Sequence, residues 1–123
     1  MEPQIQYAKT KDGASIAYYT MGTGEPLVEL SAAVWSHTEL ERRLPHRFLF
    51  LERLAQERTV VRFDSRGCGL SDRDVADYSV DTFRLGLEAV VNHLGLDRFA
   101  LMGTAYSGPL AIDYAVTPPD NRP

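Results

Sequence analysis

Four residues, Phe99-Ala100-Leu101-Met102, run directly into Gly103-Thr104-Ala105-Tyr106-Ser107-Gly108, and this junction constrains the fold more than any other stretch. A short apolar run reads as a buried strand. Beyond it, Leu110, Ile112 and Ala115 supply the apolar positions of a helix. Gly103 and Gly108 let strand and helix approach closely through a sharp turn. Such a turn lifts one side chain clear of the backbone, an arrangement that presents a nucleophile. The lifted residue here is Ala105, which has no lone pair with which to attack.

The rest of the chain alternates strand and helix around that junction. Ile5 to Tyr7 and Ile16 to Tyr19 flank the turn pair Asp12-Gly13 and read as an antiparallel hairpin. Gly22 to Pro26 turn into Leu27-Val28-Glu29-Leu30, an apolar strand interrupted by one acid. Pro45 forbids one continuous helix over residues 38–58. Phe48, Leu51 and Leu54 predict a short helix from about Arg47 to Gln56. Thr59 to Phe63 is a β-branched strand. Ser79 or Asp81 caps a helix striped by Leu87, Val90, Val91 and Leu94, and Gly95 suits the left-handed residue that ends it. From residue 27 onward the pattern predicts parallel strands covered by helices. All 123 residues form one domain: a mostly parallel sheet with an N-terminal antiparallel hairpin, flanked by helices.

A second string, Asp64-Ser65-Arg66-Gly67-Cys68-Gly69-Leu70-Ser71-Asp72, exits the strand ending at Phe63. Its glycines permit a tight path, and Asp64 with Arg66 can pair to hold it. Together with the glycine turn and Asn92-His93-Leu94-Gly95-Leu96-Asp97, this string resembles the α/β-hydrolase fold family. The resemblance spans about Ile5 to Ala115 and matches the N-terminal half of such a domain, an incomplete α/β-hydrolase fold. It marks Asp64, Arg66, Gly67, Gly69, Ser71, Asp72, Gly103 and Gly108 as the structural motif. It also makes Ala105 the vacant nucleophile position, where the family carries serine or, in dehalogenase and epoxide-hydrolase relatives, aspartate. Three origins fit the alanine: a degenerate member, a binding domain that lost its chemistry, or a deliberate change. Ser107 stands where the family has a small glycine, and close packing there directs its hydroxyl away from a substrate.

The family's oxyanion hole takes one backbone N–H from a glycine-containing segment after the third strand and one from the residue after the nucleophile. The resemblance places these at Ala33 or Val34 and at Tyr106. The family's triad order is nucleophile, acid, histidine. After Ala105 the only acids are Asp113 and Asp120, and no histidine follows. Asp113, within the helix after the turn, reads as solvated. His93 near a helix end reads as structural, and His46 as exposed. His37 follows the loop after the third strand, on the side of the sheet where ligands bind in α/β folds, so His37 and Trp35 are the substrate-binding candidates. Cys68, between glycines, reads as a small buried filler.

Composition excludes several classes. A net charge of −4 with scattered arginines and two lysines argues against a nucleic-acid surface. One cysteine implies no disulfide framework. Histidine and thiol spacing suits no metal, the glycines form no phosphate-binding fingerprint, and no cofactor is expected. With no signal-like start and no long apolar run, the expectation is a cytoplasmic protein with no membrane partner. The functional expectation is a domain related to ester and acyl hydrolases, a pseudoenzyme inactive alone. The alternatives are a noncatalytic half-domain that binds a small apolar or ester-like ligand or a protein, and a truncated or engineered fragment of an active hydrolase. The resemblance further implies that the outer edge of the strand Phe99 to Met102 is open, which favours a homo-oligomer or a complementing chain.

Overall fold

A computed structural model describes residues 3–30, 37–72, 79–104 and 107–117. The elements run β1 (Gln6–Lys9), β2 (Ser15–Met21), β3 (Glu25–Leu30), α1 (Thr38–Glu41), α2 (Pro45–Leu54), β4 (Arg58–Phe63), α3 (Val80–His93), β5 (Ala100–Gly103) and α4 (Ser107–Val116). One five-stranded sheet has the order β1-β2-β4-β3-β5. The hairpin is antiparallel, β2 joins β4 antiparallel, and β3 pairs parallel with both β4 and β5. The chain therefore crosses over twice, and the ends of β3, β4 and β5 open on one edge of the sheet.

Most expected elements stand within two residues of their predicted bounds. The strand placed at Phe99 begins one residue later, at Ala100, and the Phe99 ring lies 6.4 Å from that of Tyr114. The helix placed from Arg47 begins at Pro45, whose missing N–H costs nothing in a first turn. Of the two cap candidates for α3, Ser79 takes the role, its hydroxyl accepting from Thr82 N–H, while Asp81 sits in the first turn. Gly95 adopts φ +65° as expected. The short helix α1 was not foreseen in its irregular stretch.

Alternation along the strands sorts two faces. Ile16, Tyr18, Val28, Leu30, Val61 and Phe63 point toward α3 and α4, meeting Leu87, Val90, Val91 and Tyr114 in the larger core. Gly86 brings α3 close to this sheet, with Ile16 3.5 Å from where its Cβ would stand. His93, closing α3, sets its ring edge-on to Tyr18 at 5.7 Å, the structural role expected of it.

The opposite face, under α1 and α2, is part apolar and part ionic. Tyr19, Met21, Leu51 and Val60 form a small core. Beside them Glu29 and Arg62, neighbours in register on β3 and β4, are both fully buried. Arg62 Nε lies 3.1 Å from Glu29 Oε1, Arg62 Nη1 donates to Phe63 O at 2.5 Å, and Arg62 Nη2 pairs with Glu41 of α1. Arg47 of α2 pairs with Glu29 and, at 3.3 Å, with Glu41. The acid that interrupts β3 is thus the sheet side of a four-membered neutral cluster that ties both helices down. Tyr19 lies in register with Arg62, and burial pushes its phenol up to about 12.

Breaking a buried ion cluster is costly because it strands a charge, while removing matched charges is not. Arg62→Met is expected to destabilise the protein by about 3–5 kcal/mol in urea unfolding. Glu29→Met combined with Arg62→Met leaves Glu41 and Arg47 to pair with each other, and is expected to lose less than the single change.

Candidate functional site

The site is built where β3, β4 and β5 end. Immediately after β4, Asp64 is fully buried, and its carboxylate accepts from Thr38 N–H at 2.9 and 3.2 Å, Thr38 Oγ1 at 3.1 Å and Leu70 N–H at 2.9 Å. One carboxylate thereby joins the loop after β4 to the start of α1. Gly69 adopts φ +48°, and a Cβ there would stand 2.2 Å from Asp64 Oδ2, so only glycine lets the loop wrap this closely. Ser71 Oγ donates to Asp64 O at 2.5 Å and accepts from Ala17 N–H at 2.9 Å, while Asp72 accepts from Ser15 N–H at 2.9 Å. Gly67, at φ +87°, donates its N–H to Asp72 O at 2.8 Å.

The expected pairing of Asp64 with Arg66 is corrected. Arg66 turns outward to the hairpin, donating to Asp12 Oδ2 at 2.9 Å and Thr10 Oγ1 at 3.0 Å and also pairing with Asp12 Oδ1. Asp64 instead accepts from the Thr38 and Leu70 backbone N–H groups and from the Thr38 hydroxyl. The Arg66 hydrogen bonds, with help from Thr10, hold the Asp12 carboxyl well below the usual carboxylate range. Cys68 is buried, as its place between glycines suggested.

The glycine turn is equally tight. A Cβ on Gly103 would stand 2.6 Å from Ser107 O and 2.8 Å from Gly108 Cα, whereas a Cβ on Gly108 would meet nothing within 4 Å. The close approach therefore rests on the first glycine alone. Ser107 is fully buried. Its hydroxyl accepts from Thr104 N–H at 2.7 Å, and Leu30 O and Thr104 O lie within donating distance at 2.9 Å each. The hydroxyl thus stitches the turn to the end of β3 and points away from solvent, as its place predicted.

His37 stands at the head of α1, where Nδ1 accepts from Leu40 N–H at 3.1 Å. In the neutral ring this leaves the proton on Nε2 as a free donor. His46 is exposed, as expected. Asp113 is not simply solvated: it accepts from Arg84 at 2.6 and 2.9 Å, linking α4 to α3. Ala33, Val34, Trp35, Ala105 and Tyr106 lie outside the described residues. The structure thus brings Asp64, Gly69, Ser71 and Asp72 into one loop and ties Gly103 and Ser107 to the end of β3.

Sequence reasoning missed the Glu29–Arg62–Arg47–Glu41 cluster beneath this edge and the anchoring role of Thr38. One signal was present: an acid and a base, each alone in an apolar strand, on two successive strands of the parallel region. Nothing local marks Thr38 as a partner of Asp64, 26 residues away.

The family model described as "alpha/beta hydrolase fold" matches residues 37–121, well over half the chain. The chain belongs to the α/β-hydrolase fold family. Within that family it is 31% identical over 111 residues to a soluble epoxide hydrolase of Corynebacterium sp., covering 90% of this chain and 35% of the relative. It is 31% identical over 100 residues to a proline iminopeptidase of Heyndrickxia coagulans, covering 80% of this chain and 32% of the relative. The solved epoxide hydrolase CorEH superposes with a TM-score of 0.75 at 29% identity, covering 93% of this chain and 38% of that one. The esterase RhEst1 of Rhodococcus sp. superposes at 0.73 with 30% identity, over 89% of this chain and 39% of that one. The chain spans about a third of the length of these curated hydrolases. The observed sheet is accordingly an incomplete α/β-hydrolase fold. Among the described residues no helix is long and apolar enough to cross a membrane.

Two measurements test this geometry. Gly103→Ala is expected to destabilise by about 2 kcal/mol or more through strain in a packed turn, while Gly108→Ala is neutral or slightly stabilising; thermal unfolding separates the two. The second concerns pH. A carboxyl depressed in the folded state adds stability that is full above its unfolded value, near 3.8, and is lost as pH falls through the folded value. The stability advantage of the native protein over Asp12→Asn should therefore shrink below about pH 4. Acid unfolding curves that stay parallel would contradict the pairing.

Proposed function

We propose that this chain carries the nucleophile-bearing part of an α/β-hydrolase fold of ester- and acyl-hydrolase ancestry, and that it turns over no substrate as it stands. The observation that carries this reading is the engagement of Ser107. With alanine at position 105, the neighbouring serine is the nearest substitute nucleophile, and its hydroxyl is buried between Leu30 O and the Thr104 backbone. Covalent catalysis needs an activated lone pair facing the substrate, and neither residue offers one. The relatives named for epoxides and proline peptides fit an ancestry in which nucleophile identity, serine or aspartate, set the chemistry; alanine serves neither.

Ligand recognition is the role left to such a site. His37, with Nδ1 occupied by Leu40 N–H, offers Nε2–H to an acceptor such as an ester carbonyl. Trp35 and the backbone N–H groups of Ala33 or Val34 and Tyr106 are the remaining candidates for holding that group. This second reading, a noncatalytic domain for a small apolar or ester-like ligand, differs from the first only in whether binding is retained.

A fluorophosphonate probe and an activated aryl ester test the proposal. The native chain is expected to give no covalent adduct and no more than trace hydrolysis, since an oxyanion hole alone leaves only weak catalysis. Ala105→Ser, supplied with the C-terminal portion of a related hydrolase, is expected to label at position 105 and to turn over ester at least 10²-fold faster, on the order of one catalytic donor's worth of rate. Labelling of Ser107 in the native chain, or native turnover equal to that of the serine variant, would sink the reading.

A further inference from the structure

We propose that Asp64 is a positioning residue for His37, fixing the direction of the His37 imidazole through Thr38; the proposal rests on the ligand-recognition reading of His37. α1 is a single turn of four residues, and a segment that short does not hold a helical shape by its own hydrogen bonds. Its place, and the place of the ring at its head, come from what it is tied to. Toward its far end Glu41 pairs with Arg62 and Arg47. At its head the tie is Thr38, the buried residue of α1, whose N–H and hydroxyl both go to Asp64.

His37 stands one residue before that tie. Its backbone is extended, and its ring folds back so that Nδ1 accepts from Leu40 N–H at 3.1 Å. Thr38 lies in the chain between the ring and the amide it meets, so a shift of Thr38 moves one end of this hydrogen bond against the other. Glu39 and Leu40 give no comparable hold on the sheet: Glu39 turns to Arg42 and Arg43, and Leu40 is exposed. The bond decides the ring's chemistry as well as its direction, since a neutral imidazole whose Nδ1 accepts carries its proton on Nε2.

Asp64 is in turn held by a second element, the loop after β4. Leu70 N–H donates to it at 2.9 Å, and Gly69 leaves it room, a Cβ there standing 2.2 Å from Oδ2. Direct contacts and one peptide bond thus connect Gly69, Asp64, Thr38 and His37 in that order. A hydrogen bond weakens steeply as it bends. A donor held in one direction therefore meets an acceptor without first giving up the freedom of its ring. The fully buried Asp64 carboxylate acts on such an acceptor through His37 and not by contact.

Long-range ¹H–¹⁵N spectra of the imidazoles in the ¹⁵N-labelled 123-residue chain test this, at about pH 8, where an ordinary imidazole is neutral. His37 is expected to show a protonated Nε2 and a hydrogen-bonded Nδ1, with exposed His46 as the unbonded reference. Thr38→Val removes the hydroxyl at nearly unchanged size, and Gly69→Ala displaces the Asp64 carboxylate from the loop. Each is expected to move the His37 Nδ1 resonance toward that of His46. Thr38→Ser, which keeps the hydroxyl, is expected to hold it in place, as is Asp72→Asn, which loosens the loop only where it meets β2. A native Nδ1 resonance in Thr38→Val overturns the proposal, and so does an equal shift in Asp72→Asn. Should Gly69→Ala not fold, the valine and serine variants at position 38 decide alone. Titration with ethyl butyrate reads the ligand claim separately: an unmoved Nε2 resonance in the native chain sinks that claim, while the Nδ1 resonances still decide what positions the ring.

Discussion

The buried carboxylate of Asp64 is the interaction on which the site end of this molecule depends. A carboxylate out of water is tolerable only when its oxygens are filled with donors. Among its donors here are Thr38 N–H, the Thr38 hydroxyl and Leu70 N–H. Satisfying one charge therefore fixes the start of α1 and the path of the loop after β4 at once. The glycine at position 69 follows from the same demand, since any side chain there would occupy the space of the carboxylate. Ser71 and Asp72 then fasten the far end of the loop to the backbone of β2.

The two faces of the sheet are held by different physics. Toward α3 and α4 the contacts are apolar and close-packed, and such a core tolerates hydrophobic exchange if volume is kept. Toward α1 and α2 much of the attachment is the Glu29–Arg62–Arg47–Glu41 cluster, in which each charge requires the others. A cluster of this kind adds little net stability over an apolar replacement, but it tolerates only one arrangement of its members. It sits on the strands that end at Leu30 and Phe63, so the geometry of the helices and that of the site edge are set together.

What could be read from the chain was what its neighbours in sequence decide. The Asp12-Gly13 turn, the helical stripe of Leu87 to Leu94 and the left-handed Gly95 are local, and the structure keeps them. The site loop was legible because its glycines and small polar residues lie within nine consecutive positions. Partner choice was not legible. Arg66 has Asp64 two residues away and takes Asp12, 54 residues away. Glu29 looked like an interruption of a strand until Arg62 of the neighbouring strand and Arg47 of α2 were placed beside it. Asp113 looked solvated for the same reason, its partner Arg84 lying on another helix.

The frame of the family is kept by the described residues of this chain. Gly103 and Ser107 keep the turn after β5 closed against β3, although position 105 within it carries only a methyl group. The frame rests on Asp64, and native-state amide hydrogen exchange reads its hold most directly. If the buried carboxylate organises the site end, the Thr38 and Leu70 amides exchange as slowly as those of Val28 and Val61 in the centre of the sheet. Exchange of Thr38 and Leu70 at the rate of exposed loop amides would contradict it.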